Sequence, residues 1–89
     1  MDDYDIKSIF KMIAEYADVS VEDITFETKF EGDLGMGSLD RYEIFYKFEE
    51  AAGIAVPEEA IYEYLPEESH QITVSHVINM FRELEAKQI

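Results

Sequence analysis

The sequence predicts an all-α protein, a small four-helix bundle of three longer helices and one short one. Three stretches carry apolar residues at three- and four-residue spacing, and none shows the alternation of a half-buried strand. Glycine, proline or polar runs separate these stretches, as helix boundaries require.

The first stretch, residues 3–17, reads "DYDIKSIFKMIAEYA" and aligns Ile6, Ile9, Phe10, Ile13 and Ala17 on one face. Asp2, Asp3 and Asp5 suit the positive end of its dipole. Ser20, with Asp23 three residues on, resembles a capping box and predicts at most one short turn. Residues 24–37 read as a long loop pinned by Ile24, Phe26, Phe30 and Leu34; a loop of that length in a compact domain is usually functional. The second long helix runs from Ser38 to Ala52, with Ile44, Phe45, Phe48 and Ala52 inward and Gly53 as the stop signal. "EEAIYEYL", after Pro57, predicts the short helix, ended by Pro66. From Thr73 onward, Val74, Val77, Ile78, Phe81 and Leu84 mark the last helix.

Length and charge bound the function. The 89 residues suit a single domain spanning 1–89. A formal net charge of −14 argues against a nucleic-acid partner, since phosphate binding needs clustered Lys and Arg. It points instead to basic protein partners found by electrostatic steering. Disorder is excluded by 47% hydrophobic residues with six Phe and six Tyr. The absence of cysteine removes disulfides and thiolate metal sites and fits a reducing compartment. No run of about 18 apolar residues predicts a membrane span, and the acidic start "MDDYDIKSIF" does not resemble a secretory signal. The expected setting is cytoplasmic and the expected state monomeric.

The stretch "DLGMGSLD", Asp33 to Asp40, raises the functional question. Ser38 reads as the N-cap of the second long helix, its hydroxyl accepting from an orphan backbone N–H. Asp40 complements the dipole, while Arg41 in place of Glu or Gln prevents a reciprocal capping box. The same geometry suits an attachment point, because an anion on a serine there sits at the positive end of a helix. A nucleophile is disfavoured: no His is near in sequence to act as base, and so small a chain leaves little room for a cleft.

From Phe30 to Ala60 the chain, "FEGDLGMGSLDRYEIFYKFEEAAGIAVPEEA", resembles the central segment of acyl carrier proteins, which carry Asp-Leu-Gly-x-(Asp)-Ser-Leu-(Asp) before their second helix. The likeness extends more weakly from about Tyr4 to Leu84. It implies a four-helix carrier with no catalysis of its own, bearing 4′-phosphopantetheine on Ser38, added from coenzyme A by a phosphopantetheinyl transferase. Asp33, Gly35, Gly37, Leu39 and Asp40 complete the implied motif. The thiol of the arm would hold an acyl group as a thioester for fatty-acid, polyketide or other specialised acyl metabolism. A peptidyl, aminoacyl or D-alanyl carrier, and an acidic helical adaptor that is never modified, are the alternatives.

The resemblance also implies that the second helix meets acyl-transferring, condensing or ligase enzymes through basic docking surfaces. Leu39, Tyr42 and Tyr46 form a stripe beside the core stripe, with Asp40, Glu43, Glu49 and Glu50 around it. The bland reading is that the tyrosines only cover the core. Four features depart from the family. Gly37 stands where it has an aspartate that helps hold the transferase and its metal. Arg41 and Lys47 interrupt an acidic helix and could pair locally with Asp40, Glu43 or Glu50. Tyr42 and Tyr46 replace smaller side chains. The segment from Pro57 to Val74 is longer, through a longer third helix or a more elaborate loop. These features point to a specialised carrier. Gly35-x-Gly37 lacks the preceding strand and third glycine of a dinucleotide fingerprint, and Asp33 does not begin a calcium loop. His70 and His76 are read as solvated or capping, not metal-ligating.

Overall fold

The structure is a computed structural model describing residues 3–87, except the side chains of residues 3–5 and of Ser38. Among the described residues there are four α-helices: α1, Asp3–Ala17; α2, Ser38–Ala52; α3, Glu58–Tyr64; and α4, Val74–Lys87. Single 3₁₀ turns lie at Val21–Asp23 and Ser69–Gln71, and the nearest thing to a strand is an isolated bridge between Lys29 and Thr73. The all-α expectation holds. The expected dipole pairing at the start of α1 falls on Asp2, Asp3 and Asp5 and lies outside the described residues and side chains.

The apolar periodicity becomes one core. Phe30, Phe48, Phe81, Ile13, Ile44, Met80, Val74 and Val77 are fully buried at its centre. The Phe48 and Phe81 rings meet edge-on, with centroids 5.4 Å apart, the arrangement ring quadrupoles favour. All five apolar residues expected of α4 are buried. Ala52 is exposed, not inward; α2 ends just after it, and Ile54 beyond the turn is buried instead.

Helix ends follow local chemistry. Gly53 takes the left-handed conformation (φ 66°) and donates to the Glu49 carbonyl, closing α2. Asp18 likewise takes left-handed backbone after α1 (φ 58°), and Val19 N–H reaches back to the Ala14 carbonyl. α3 stops at Tyr64, one residue before the expected end. Leu65 precedes Pro66 and takes extended backbone (φ −105°, ψ 148°), the conformation that a following proline enforces. Between Pro57 and Val74 the chain thus holds this seven-residue helix and a connection with its own 3₁₀ turn. Ser20 precedes a short turn as expected but makes no side-chain cap.

The loop from Ile24 to Gly37 is ordered by its own hydrogen bonds. Ile24, Phe30 and Met36 are buried and Leu34 is partly buried. Phe26 is 46% exposed, and its ring meets that of Phe10 of α1 edge-on. Thr28, buried, accepts on its hydroxyl from Thr25 N–H at 2.8 Å. The loop also joins α4: Val74 and Ser75 N–H donate to the Thr28 and Phe26 carbonyls, and Phe30 N–H donates to the Ile72 carbonyl. The bonds from Val74 and Ser75 satisfy amides that a helix start leaves without intrahelical partners.

Candidate functional site

The chain reaches α2 through a tight coil. Asp33 accepts from Lys29 N–H on its carboxylate at 2.8 Å, and the Asp33 and Leu34 amides return to the Lys29 carbonyl. Asp33 thus shapes the loop. Gly35 sits at φ 68°, where a side chain would be strained. Met36 N–H then bonds to the Phe30 carbonyl, anchoring the coil two residues before Ser38.

Gly37, not Ser38, is the cap residue of α2, and Ser38 is the first helical residue. The shift of one position changes which side chain reaches back. Asp40 becomes the third helical residue, and its Oδ2 accepts from Gly37 N–H at 3.1 Å. One arm of a capping box is therefore present, contrary to the expectation drawn from Arg41. A Cβ built on Gly37 would meet nothing within 4 Å. Gly37 and Leu39 flank Ser38 and are both exposed, Leu39 at 84%. Between them α2 begins, and the first-turn amides of a helix start lack intrahelical partners and suit an anion.

Beyond it the expected stripe is in place. Leu39, Tyr42 and Tyr46 are exposed, the tyrosines at 59% and 64%. Glu43 and Glu50 are exposed beside them; Asp40 and Glu49 are partly buried. Tyr62 of α3, 77% exposed, extends the aromatic surface across the next helix. Between α2 and α3 are two hollows, of about 360 Å³ and about 450 Å³, sharing Tyr42, Phe45 and Ile61.

Two contacts that organise the site cross between distant segments. The Tyr16 hydroxyl of α1 lies 2.7 Å from Glu43 Oε2 and 3.1 Å from Asp40 Oδ1. It has one proton to donate, so the shorter contact to Glu43 is the main bond. The Glu43 hydrogen bond, followed by desolvation and the Asp40 carboxylate, holds the Tyr16 phenol well above its ordinary titration range. α1 thereby fixes two acids of the stripe.

Arg41 is buried and turned away from that stripe. Its guanidinium lies 3.6 Å from Glu31 of the loop. The same Glu31 oxygen accepts from the Ser69 hydroxyl at 2.9 Å, joining the loop, α2 and the connection to α4. Lys47 shares a shallow hollow between α1 and α2 with Glu15, Glu43 and Glu50; among the described residues it makes no ion pair. The outward face of α2 near Ser38 therefore stays acidic despite Arg41. No helical spacing marks Tyr16, Glu31, Ser69 or Tyr62 as neighbours of the site, because these contacts depend on how the elements pack.

No group of His, Cys, Asp and Glu able to hold a metal ion occurs among the described residues. His70 is exposed beside Glu68 at 3.3 Å, and His76 caps α4.

A family model described as "Phosphopantetheine attachment site" matches residues 7–66, which include the loop, α2 and all of α3. The chain is 43% identical over 53 residues to an acyl carrier protein of Treponema pallidum, covering 60% of this chain and 68% of the relative. It is 39% identical over 64 residues to an acyl carrier protein of Treponema denticola, covering 72% and 81% respectively.

Proposed function

Since the chain belongs to the acyl carrier protein family, we propose that Ser38 is its point of attachment for 4′-phosphopantetheine and that α2 is its docking face. Members of this family are carriers and not enzymes: the covalent arm supplies the thiol that holds an acyl group as a thioester. This chain has no cysteine, so that thiol has no substitute in the polypeptide.

The observation that carries the assignment is the position of Ser38. It is the first residue of α2, between exposed Gly37 and Leu39. A phosphodiester there meets the positive end of a 15-residue helix and needs no buried pocket. Asp40 is held in place by Gly37 N–H, so it presents a fixed acid to a transferase where Gly37 offers none.

The carrier interacts with a phosphopantetheinyl transferase and with acyl-handling enzymes. Leu39, Tyr42 and Tyr46, rimmed by Asp40, Glu43, Glu49 and Glu50, supply an apolar centre with an acidic border for basic partner surfaces. The hollows between α2 and α3 begin within one turn of Ser38, on the side of Arg41 and Tyr42, and suit a short cargo chain. No helix among the described residues is long and apolar enough to cross a membrane. A cytoplasmic, monomeric carrier is part of the same proposal.

Intact-mass measurement tests the attachment. Unmodified protein incubated with coenzyme A and a broad-specificity transferase should gain the mass of one phosphopantetheine. Ser38→Ala should gain none. A gain that persists in Ser38→Ala would overturn the site, and no gain with any of several transferases would favour an unmodified adaptor.

A further inference from the structure

The start of α4 is closed by a reciprocal cap of unusual composition. Thr73 N–H donates to His76 Nδ1 at 3.0 Å, and His76 N–H donates to Thr73 Oγ1 at 3.4 Å. The Thr73 hydroxyl lies 3.0 Å from the same ring nitrogen. His76 is the third residue of α4, the position that a capping box fills with Glu or Gln. Histidine serves only in one state. A backbone N–H can only donate, so Nδ1 must be bare and the ring proton must sit on Nε2. A second proton turns both ring nitrogens into donors, and Nδ1 then opposes the Thr73 amide.

The surroundings give an imidazolium no support. It would stand at the positive end of α4. Arg82 of α4 lines the same hollow as His76, with Phe26 from the loop. From the loop side, Lys29 bridges Thr73, and Glu27 lies next to Phe26 in sequence. From α1, the neighbour is the uncharged ring of Phe10 against Phe26. Among the described residues no carboxylate pairs with His76. The ring is partly exposed, so protons can reach it.

This cap holds the segment to which the loop is stitched. Val74 and Ser75 N–H bond to the Thr28 and Phe26 carbonyls, Phe30 N–H bonds to the Ile72 carbonyl, and Met36 N–H bonds to the Phe30 carbonyl. Ser38 follows two residues later. We propose that the Thr73–His76 cap is a proton-sensitive clasp that sets the order of the loop leading to Ser38. The bare Nδ1 of the neutral ring closes it, and a second proton on the ring opens it, so acid loosens the clasp. Its bearing on cargo loading rests on Ser38 being the attachment site. The clasp itself does not, and the experiment reads it alone.

Amide hydrogen exchange on the full chain, at about pH 7.5 and about pH 5.5, within which histidine side chains in general change charge, should follow Phe30 and Met36. After correction for intrinsic exchange, their protection in the wild type should fall by roughly fivefold on acidification, the loss expected when a helix cap is removed. His76→Gln keeps an acceptor that does not titrate and should show no such fall. Parallel pH trends in the two proteins would overturn the proposal. Ring nitrogen-15 spectra of the wild type at about pH 7.5, above the imidazole range, should place the proton on Nε2. A proton on Nδ1 would overturn it regardless of how the variant folds.

Discussion

Tyr46 and Phe48 stand two residues apart on α2 and face opposite ways, so truncating each to alanine separates docking from folding. Phe48 is 2% exposed and lies edge-on to Phe81 with centroids 5.4 Å apart. Its removal should cost roughly 3–5 kcal/mol in lost transfer energy and residual cavity. A domain of 89 residues has a total stability of about 4–13 kcal/mol at typical per-residue values. Phe48→Ala should therefore unfold a large fraction of the protein or bring it close to its midpoint. Tyr46 is 64% exposed. A tyrosine that presents about two thirds of its surface offers on the order of 100–160 Å² to a partner. Complete covering would contribute about 2.5–4 kcal/mol before association costs reduce it. Tyr46→Ala should thus leave urea unfolding by circular dichroism within about 1 kcal/mol of wild type while weakening an acyl-handling partner at least tenfold in a titration. Equal losses of stability in the two variants would refute the assignment of faces. Intact partner binding by a folded Tyr46→Ala would refute docking through the stripe.

Two other substitutions probe the site. Gly37 has φ −81° and open space where a Cβ would stand, so Gly37→Asp should fold normally. It should raise the rate of phosphopantetheine transfer by a broad-specificity transferase severalfold in a mass-spectrometric time course; an unchanged rate would show that Asp40 suffices. Tyr16→Phe should remove the component of the chain's alkaline absorbance titration that ionises at highest pH. The sign follows from the hydrogen bond to Glu43 and the nearby Asp40, which raise the folded-state value. The stabilisation is complete below the ordinary tyrosine range near 10 and is lost as pH climbs through the raised value. A titration curve identical to wild type would sink that account.

Helix positions were legible in the sequence wherever a periodic stripe met a strong punctuation residue. α1 and α2 occupy the expected 3–17 and 38–52 because Ile9, Ile13, Ile44 and Phe48 repeat at helical spacing and Gly53 supplies the left-handed stop. The site was legible as a motif, since Ser38 and the Leu39, Tyr42, Tyr46 stripe are local features of one helix. What escaped is long-range or depends on a single residue of register. Assigning the cap to Ser38 instead of Gly37 moved the third helical position from Asp40 to Arg41, and so hid the carboxylate that reaches back. Arg41 read as a surface charge because arginine is rarely buried; only the folded loop brings Glu31 to it. Tyr16 carried no sign of its bonds to α2, because α1 and α2 meet through packing and not through spacing along the chain.

The stitching of the loop to α4 has a consequence for how this chain can change over generations. Those bonds run between main-chain atoms, which every residue except proline supplies alike. Glu27 and Lys29 sit in that stitched stretch with their side chains exposed. They can be exchanged for other residues without undoing the stitches, so the surface chemistry of the loop can drift while its path toward α2 is kept.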